Sequence, residues 1–103
     1  MVERIIVWTE TAAIQRREIL KYWTVKTGST TYAEKLLKII KIRLDIILTQ
    51  PESFKLSSYP NTRESALENF SLFYQIENEK IIVTAFWDNR QNPEKLLKLL
   101  KNQ

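Results

Sequence analysis

The chain contains no cysteine and no histidine among its 103 residues. The first absence excludes disulfides, thiolate nucleophiles and cysteine-ligated zinc. The second removes the commonest general base and the commonest metal ligand. Any chemistry therefore falls to Lys, Arg, Tyr, Ser, Thr, Asp or Glu. Glycine occurs once and proline three times, too few for a loop-rich or disordered chain. There is no Gly-rich phosphate loop, no carboxylate pair at catalytic spacing and no metal-ligand cluster in the sequence, so no metal and no cofactor is expected. No apolar run approaches the roughly 20 residues of a membrane-spanning helix. The opening "MVERIIVWTE" sets charges on both sides of a short apolar run, and a signal peptide needs a longer apolar core. Without cysteine, a cytoplasmic protein with no membrane partner is the simplest expectation.

What is present suits one folded unit. A chain of this length reads as a single domain, residues 1–103, burying roughly two-thirds of the surface its unfolded form exposes. Apolar residues make up 44% and aromatics 11%, enough to fill one core. Sixteen Lys and Arg against twelve Asp and Glu give a net charge of +4. That balance fits nucleic acid or an acidic protein partner, and equally plain solubility.

"RIIVWT" (Arg4 to Thr9) predicts a first strand, rich in β-branched and aromatic residues. Thr9 or Thr11 can cap the helix predicted over Thr11–Gly28, whose Ala12, Ile19, Leu20 and Trp23 recur at helical spacing. Gly28 stands as its C-terminal stop. A second helix, from Tyr32 to Leu48, carries a main stripe of Ala33, Leu36, Leu37, Ile40, Leu44, Ile47 and Leu48. A second apolar line, Ile39, Ile42 and Ile46, flanks its polar face. This exceeds what one sheet can cover, and the flank is a candidate partner surface. After the polar loop "TQPESFKLSSYPNT" come a weak strand (Arg63–Leu67), a strong one (Asn69–Ile76), a tight turn at Asn78-Glu79 and a return strand (Lys80–Asp88). Asn92 as cap and Pro93 as first residue open a last helix. The order β-α-α-β-β-β-α predicts an α+β fold, with two N-terminal helices packed on a small, twisted, antiparallel-rich sheet.

In "FSLFYQIENEKIIVTAFWDNRQNPEKL" the chain resembles the RelE/ParE superfamily of bacterial toxins. The specific pieces are "FYQI", a short turn, "KIIV" and "DNRQNP", in this order, and the resemblance covers nearly the whole chain. It implies the toxin half of a type II toxin–antitoxin pair, of the plasmid-stabilisation kind, which a cognate antitoxin wraps and neutralises. It also implies one of two targets. RelE-like members cut messenger RNA on the ribosome; ParE-like members inhibit DNA gyrase and are not nucleases. Carried over by position, Arg90 matches the arginine that follows the last strand. Ser71 stands where RelE-like nucleases place an arginine on the central strand. The last helix, "PEKLLKLLKNQ", has no Tyr or His where those nucleases supply one. These departures favour the non-enzymatic, gyrase-like reading; the alternative is a metal-free endoribonuclease.

For that alternative the candidate catalytic set is Arg90, Arg63 and Lys55. An RNA-cleaving site needs fixed cations for the phosphate, and an arginine fork supplies one bidentately. Arg63 and Lys55 would join Arg90 in a basic patch over the sheet, with Tyr59 as the exposed phenol beside it. Arg90 could instead pair with Asp88 and stiffen the turn. Tyr74 and Trp87, at apolar strand positions, are expected in the core. Ile39, Ile42 and Ile46, with Lys95 and Lys98 on the last helix, are the candidate partner-binding residues. A second copy of the chain is the other possible occupant of that flank.

Overall fold

A computed structural model of the chain describes residues 3–102. Its elements run β1 (Ile5–Trp8), α1 (Glu10–Thr27), α2 (Thr31–Thr49), β2 (Arg63–Leu67), β3 (Phe70–Glu77), β4 (Lys80–Asp88) and α3 (Pro93–Lys101). The strands form one mixed sheet in the order β1-β4-β3-β2. β1 runs parallel to β4, and the other pairs are antiparallel. The fold is therefore α+β, with the helical hairpin on one face of the sheet and α3 on the other.

Local chemistry explains the boundaries. Thr9, not Thr11, caps α1: its Oγ1 accepts from the Ala12 N–H at 3.2 Å, so the helix opens at Glu10. Gly28 closes it in the left-handed region at φ 72°, a conformation that costs glycine nothing. In α2 the buried residues are Ala33, Leu36, Ile40, Leu44 and Ile47. Leu37, expected in that stripe, is 44% exposed. It lies about 100° round the helix from Leu36, at the edge of the buried stripe. Arg43 fastens the other side of α2 to β2, donating from Nη1 to Ser65 Oγ at 2.7 Å and to the Ala66 carbonyl.

The sheet separates two cores. Under α1 and α2 lie Phe70, Leu72, Tyr74, Ile81, Val83 and Phe86, packed with Leu36, Ile40 and Ile47. Under α3 lie Phe73, Ala85 and Trp87, packed with Leu96 and Leu100. The residues of β3 alternate between these faces without interruption. Those of β4 do not, because Thr84 is an extra residue: Phe73 pairs with Ala85, but Tyr74 pairs with Val83. Thr84 Oγ1 donates to the Phe73 carbonyl at 3.3 Å at this bulge. Ile81 and Val83 therefore share a face with Phe86, while Ala85 and Trp87 turn to the other. β1 ends opposite Val83, leaving the edge of β4 beyond it open. There Gln15 of α1 accepts from the Phe86 N–H at 2.9 Å, in place of a strand partner.

Candidate functional site

The phase change at Thr84 decides where the chain leaves the sheet. Asp88 pairs with Phe70 and so turns toward α1. Its carboxylate accepts from the Arg90 backbone N–H at 3.0 Å, from Arg90 Nε at 2.9 Å and from Arg90 Nη2 at 2.7 Å. The side chain of Asp88 is 14% exposed and that of Arg90 54%. The Arg90 hydrogen bond holds the Asp88 carboxyl below the ordinary carboxylate range, against the upward push of burial. The same bond raises the Arg90 guanidinium further. Asn92 Oδ1 accepts from the Glu94 N–H at 2.9 Å and caps α3, so the turn is built without using the rest of Arg90.

Arg90 lies with its guanidinium carbon 5.4 Å from the centroid of Trp23 on α1. Lys26 Nζ is 5.4 Å from the same ring. Tyr22 meets Trp23 edge-on at 5.4 Å, and Tyr32 packs on it at 5.0 Å. Burial, and then the charge of Glu68, raises the Tyr32 phenol. Glu18, Ile19, Tyr22, Trp23, Asp88, Arg90 and Gln91 line an open cleft of about 490 Å³ between α1 and this turn. Sequence periodicity does not single out Tyr22 and Lys26, because it sorts residues by face and is silent about which aromatic meets which cation.

The three candidate catalytic cations are not brought together. Arg63 points to the helical face and donates from Nη1 to the carbonyls of Glu52, at 3.3 Å, and Phe54, at 2.6 Å. It pins the loop after α2. Arg63 pairs with Tyr74 while Asp88 pairs with Phe70, a separation of roughly 13 Å along the strands at ~3.3 Å per residue. Lys55 belongs to the opposite face: its Nζ is 3.8 Å from Glu64 Oε1. Glu64 follows Arg63 in β2 and so faces the α3 side. The expected basic patch is dispersed by this alternation.

Glu64 also accepts from Ser71 Oγ at 3.1 Å, and Ser71 is fully buried. Beside them Tyr59, Phe73, Trp87 and Leu96 help to line a cavity of about 230 Å³. Tyr59 is not an exposed phenol: it packs against the α3-side core and its hydroxyl donates to the Leu100 carbonyl at 3.0 Å. Tyr74 and Trp87 are both buried. Lys95 and Lys98 lie exposed on α3. On α2, Ile42 is 62% exposed and Ile46 41%, while Ile39 packs against the core. Among the described residues no group of His, Cys, Asp and Glu is arranged to hold a metal, and no helix is long and apolar enough to cross a membrane.

Two comparisons place this geometry among known proteins. The family described as ParE toxin of type II toxin–antitoxin system, parDE, matches residues 6–93. A solved structure of the chromosomal ParDE toxin–antitoxin system from P. aeruginosa is similar, with a TM-score of 0.71 at 20% identity. The match covers 82% of this chain and 95% of that one, a likeness of fold. No curated protein matches the chain.

Proposed function

The chain belongs to the ParE toxin family of type II toxin–antitoxin systems, and from that premise we propose that it arrests growth by binding a macromolecular target without cutting RNA. The proposed target is DNA gyrase, as in the ParE-like branch. The proposed setting is the cytoplasm, as part of a plasmid-stabilisation module. A cognate antitoxin neutralises the toxin, and Ile39, Ile42 and Ile46 on α2, with Lys95 and Lys98 on α3, are proposed as its contacts.

Ser71 carries the reading. Where RelE-like nucleases would present an arginine, this chain has a buried hydroxyl bonded to Glu64. A carboxylate on that face repels a phosphate, and Lys55 is its ion-pair partner. Arg63 spends its guanidinium on two loop carbonyls. Of the two candidate arginines, Arg90 alone keeps a half-exposed guanidinium outside a loop-pinning role, and one cation does not assemble a cleavage site. The alternative is a ribosome-dependent endoribonuclease using Arg90, Arg63 and Lys55.

Inducing the chain in bacteria, with and without the adjacent reading frame, tests the proposal. The expected outcome is growth arrest relieved by the neighbour, inhibited supercoiling by purified gyrase, and intact messenger RNA. Transcripts cleaved in a ribosome-dependent reaction that Arg90→Ala abolishes would replace this proposal with the nuclease.

A further inference from the structure

The second half of α1 has an unusual outer flank. Tyr22 is 54% exposed and Val25 73%, although exposed helix positions ordinarily go to polar residues. Lys21 and Lys26 lie beside them, and among the described residues neither has an ion-pair partner. Lys26 has only rings and the Tyr22 hydroxyl, 3.4 Å away. Behind them Arg90 binds Asp88 through Nε and Nη2, and among the described residues its Nη1 has no hydrogen-bond partner. Aromatic side chains and arginine around an apolar centre are what energetically important interface positions are made of.

From this arrangement we infer that Tyr22, Val25, Lys21 and Lys26, backed by Trp23 and Arg90, form a docking site for an acidic segment of the cognate antitoxin. Its carboxylates meet Lys21, Lys26 and the free Nη1 of Arg90, and an adjoining apolar side chain covers Tyr22 and Val25. Charge complementarity fixes the chemistry of the occupant. The site has unpaired cations beside apolar surface, and the whole chain is net +4. A nucleic acid fits less well. The Trp23 ring, on which a base would stack, already has Tyr22, Tyr32, Lys26 and Arg90 about it. The site is distinct from the α2 flank and deepens the proposed pairing by giving the antitoxin a second, electrostatic foothold.

Titration calorimetry of the full chain with the protein of the adjacent reading frame, at low and at raised salt, tests this. Lys21→Glu with Lys26→Glu is expected to weaken binding by about tenfold or more and to flatten its salt dependence. Tyr22→Ala is expected to weaken binding at either salt. Lys80→Glu, at the start of β4, is expected to leave it unchanged. Circular dichroism verifies folding, and Val25→Ser serves as the milder variant if the double charge reversal unfolds. Wild-type affinity in the folded variants overturns the docking site while leaving the pairing intact. No binding by the wild-type chain overturns the pairing itself, and the site with it. A short single-stranded RNA that displaces the antitoxin from the wild type but not from Lys26→Glu overturns the proposal in favour of a nucleic-acid site.

Discussion

The two faces of the sheet are built differently. The face under α1 and α2 buries a continuous layer in which Phe70, Phe86 and Tyr74 are fully covered, and its one buried phenol is satisfied by the Pro51 carbonyl at 2.6 Å. The α3 face buries Phe73, Trp87, Leu96 and Leu100 next to a carboxylate, a lysine, a buried serine and a cavity of about 230 Å³. The first is the larger of the two cores; the second accommodates polar groups and space.

Four measurements break or sharpen this contrast. The largest effect belongs to Phe86→Ala, expected to lower unfolding free energy by about 3–5 kcal/mol in urea titration, because it empties the fully buried centre of the helical face. Next comes alkaline pH. Burial raises the Tyr74 phenol from the ordinary 10.0 to about 12. Above the ordinary value the unfolded chain loses this proton while the folded chain keeps it, so stability falls as pH climbs between the two values, by up to about 3 kcal/mol. Tyr74→Phe should flatten that slope. Leu96→Ala follows at about 2 kcal/mol, the low end for such a truncation, because α3 borders a cavity and can resettle. A loss equal to that of Phe86→Ala would show that both faces carry the fold alike. The smallest effect is expected at acid pH. Asp88 titrates below the ordinary 3.8 in the folded chain. Its stabilisation is complete above that value and fades as pH falls through the lower, folded one. Arg90 is half exposed, so melting temperatures should reveal only a small acid-side loss, absent in Arg90→Ala.

Most of the fold was legible because its signals are local. β-branched runs marked the strands, Gly28 and the Asn92-Pro93 pair marked helix ends, and the α2 stripe marked a buried side. The candidate site was legible only in part. Arg90 is identifiable as a turn residue, and its place two residues after Asp88 makes their pairing one of its possible roles. The supposed patch failed because Arg63 and Lys55 are close in sequence but lie on opposite sides of β2. The sequence could not reveal that the Arg63 fork would satisfy the carbonyls after α2, since that depends on how a loop closes. Tyr59 was misplaced for the same reason: its hydroxyl finds Leu100, far along the chain. Leu37 shows the limit of periodicity, which ranks positions round a helix without knowing how wide the contact is.

The bulge at Thr84 makes the facing of everything after it a matter of length rather than composition. Deleting that one residue would make β4 regular and leave Phe86, Trp87 and Asp88 on the faces they already occupy. Inserting one residue between Ala85 and Phe86 would do the opposite. Trp87 would turn beneath the helical hairpin, and Asp88, with the turn it anchors, would turn away from Trp23. In this architecture a single-codon insertion past the bulge exchanges what the end of the sheet presents, while the amino acids around it stay the same.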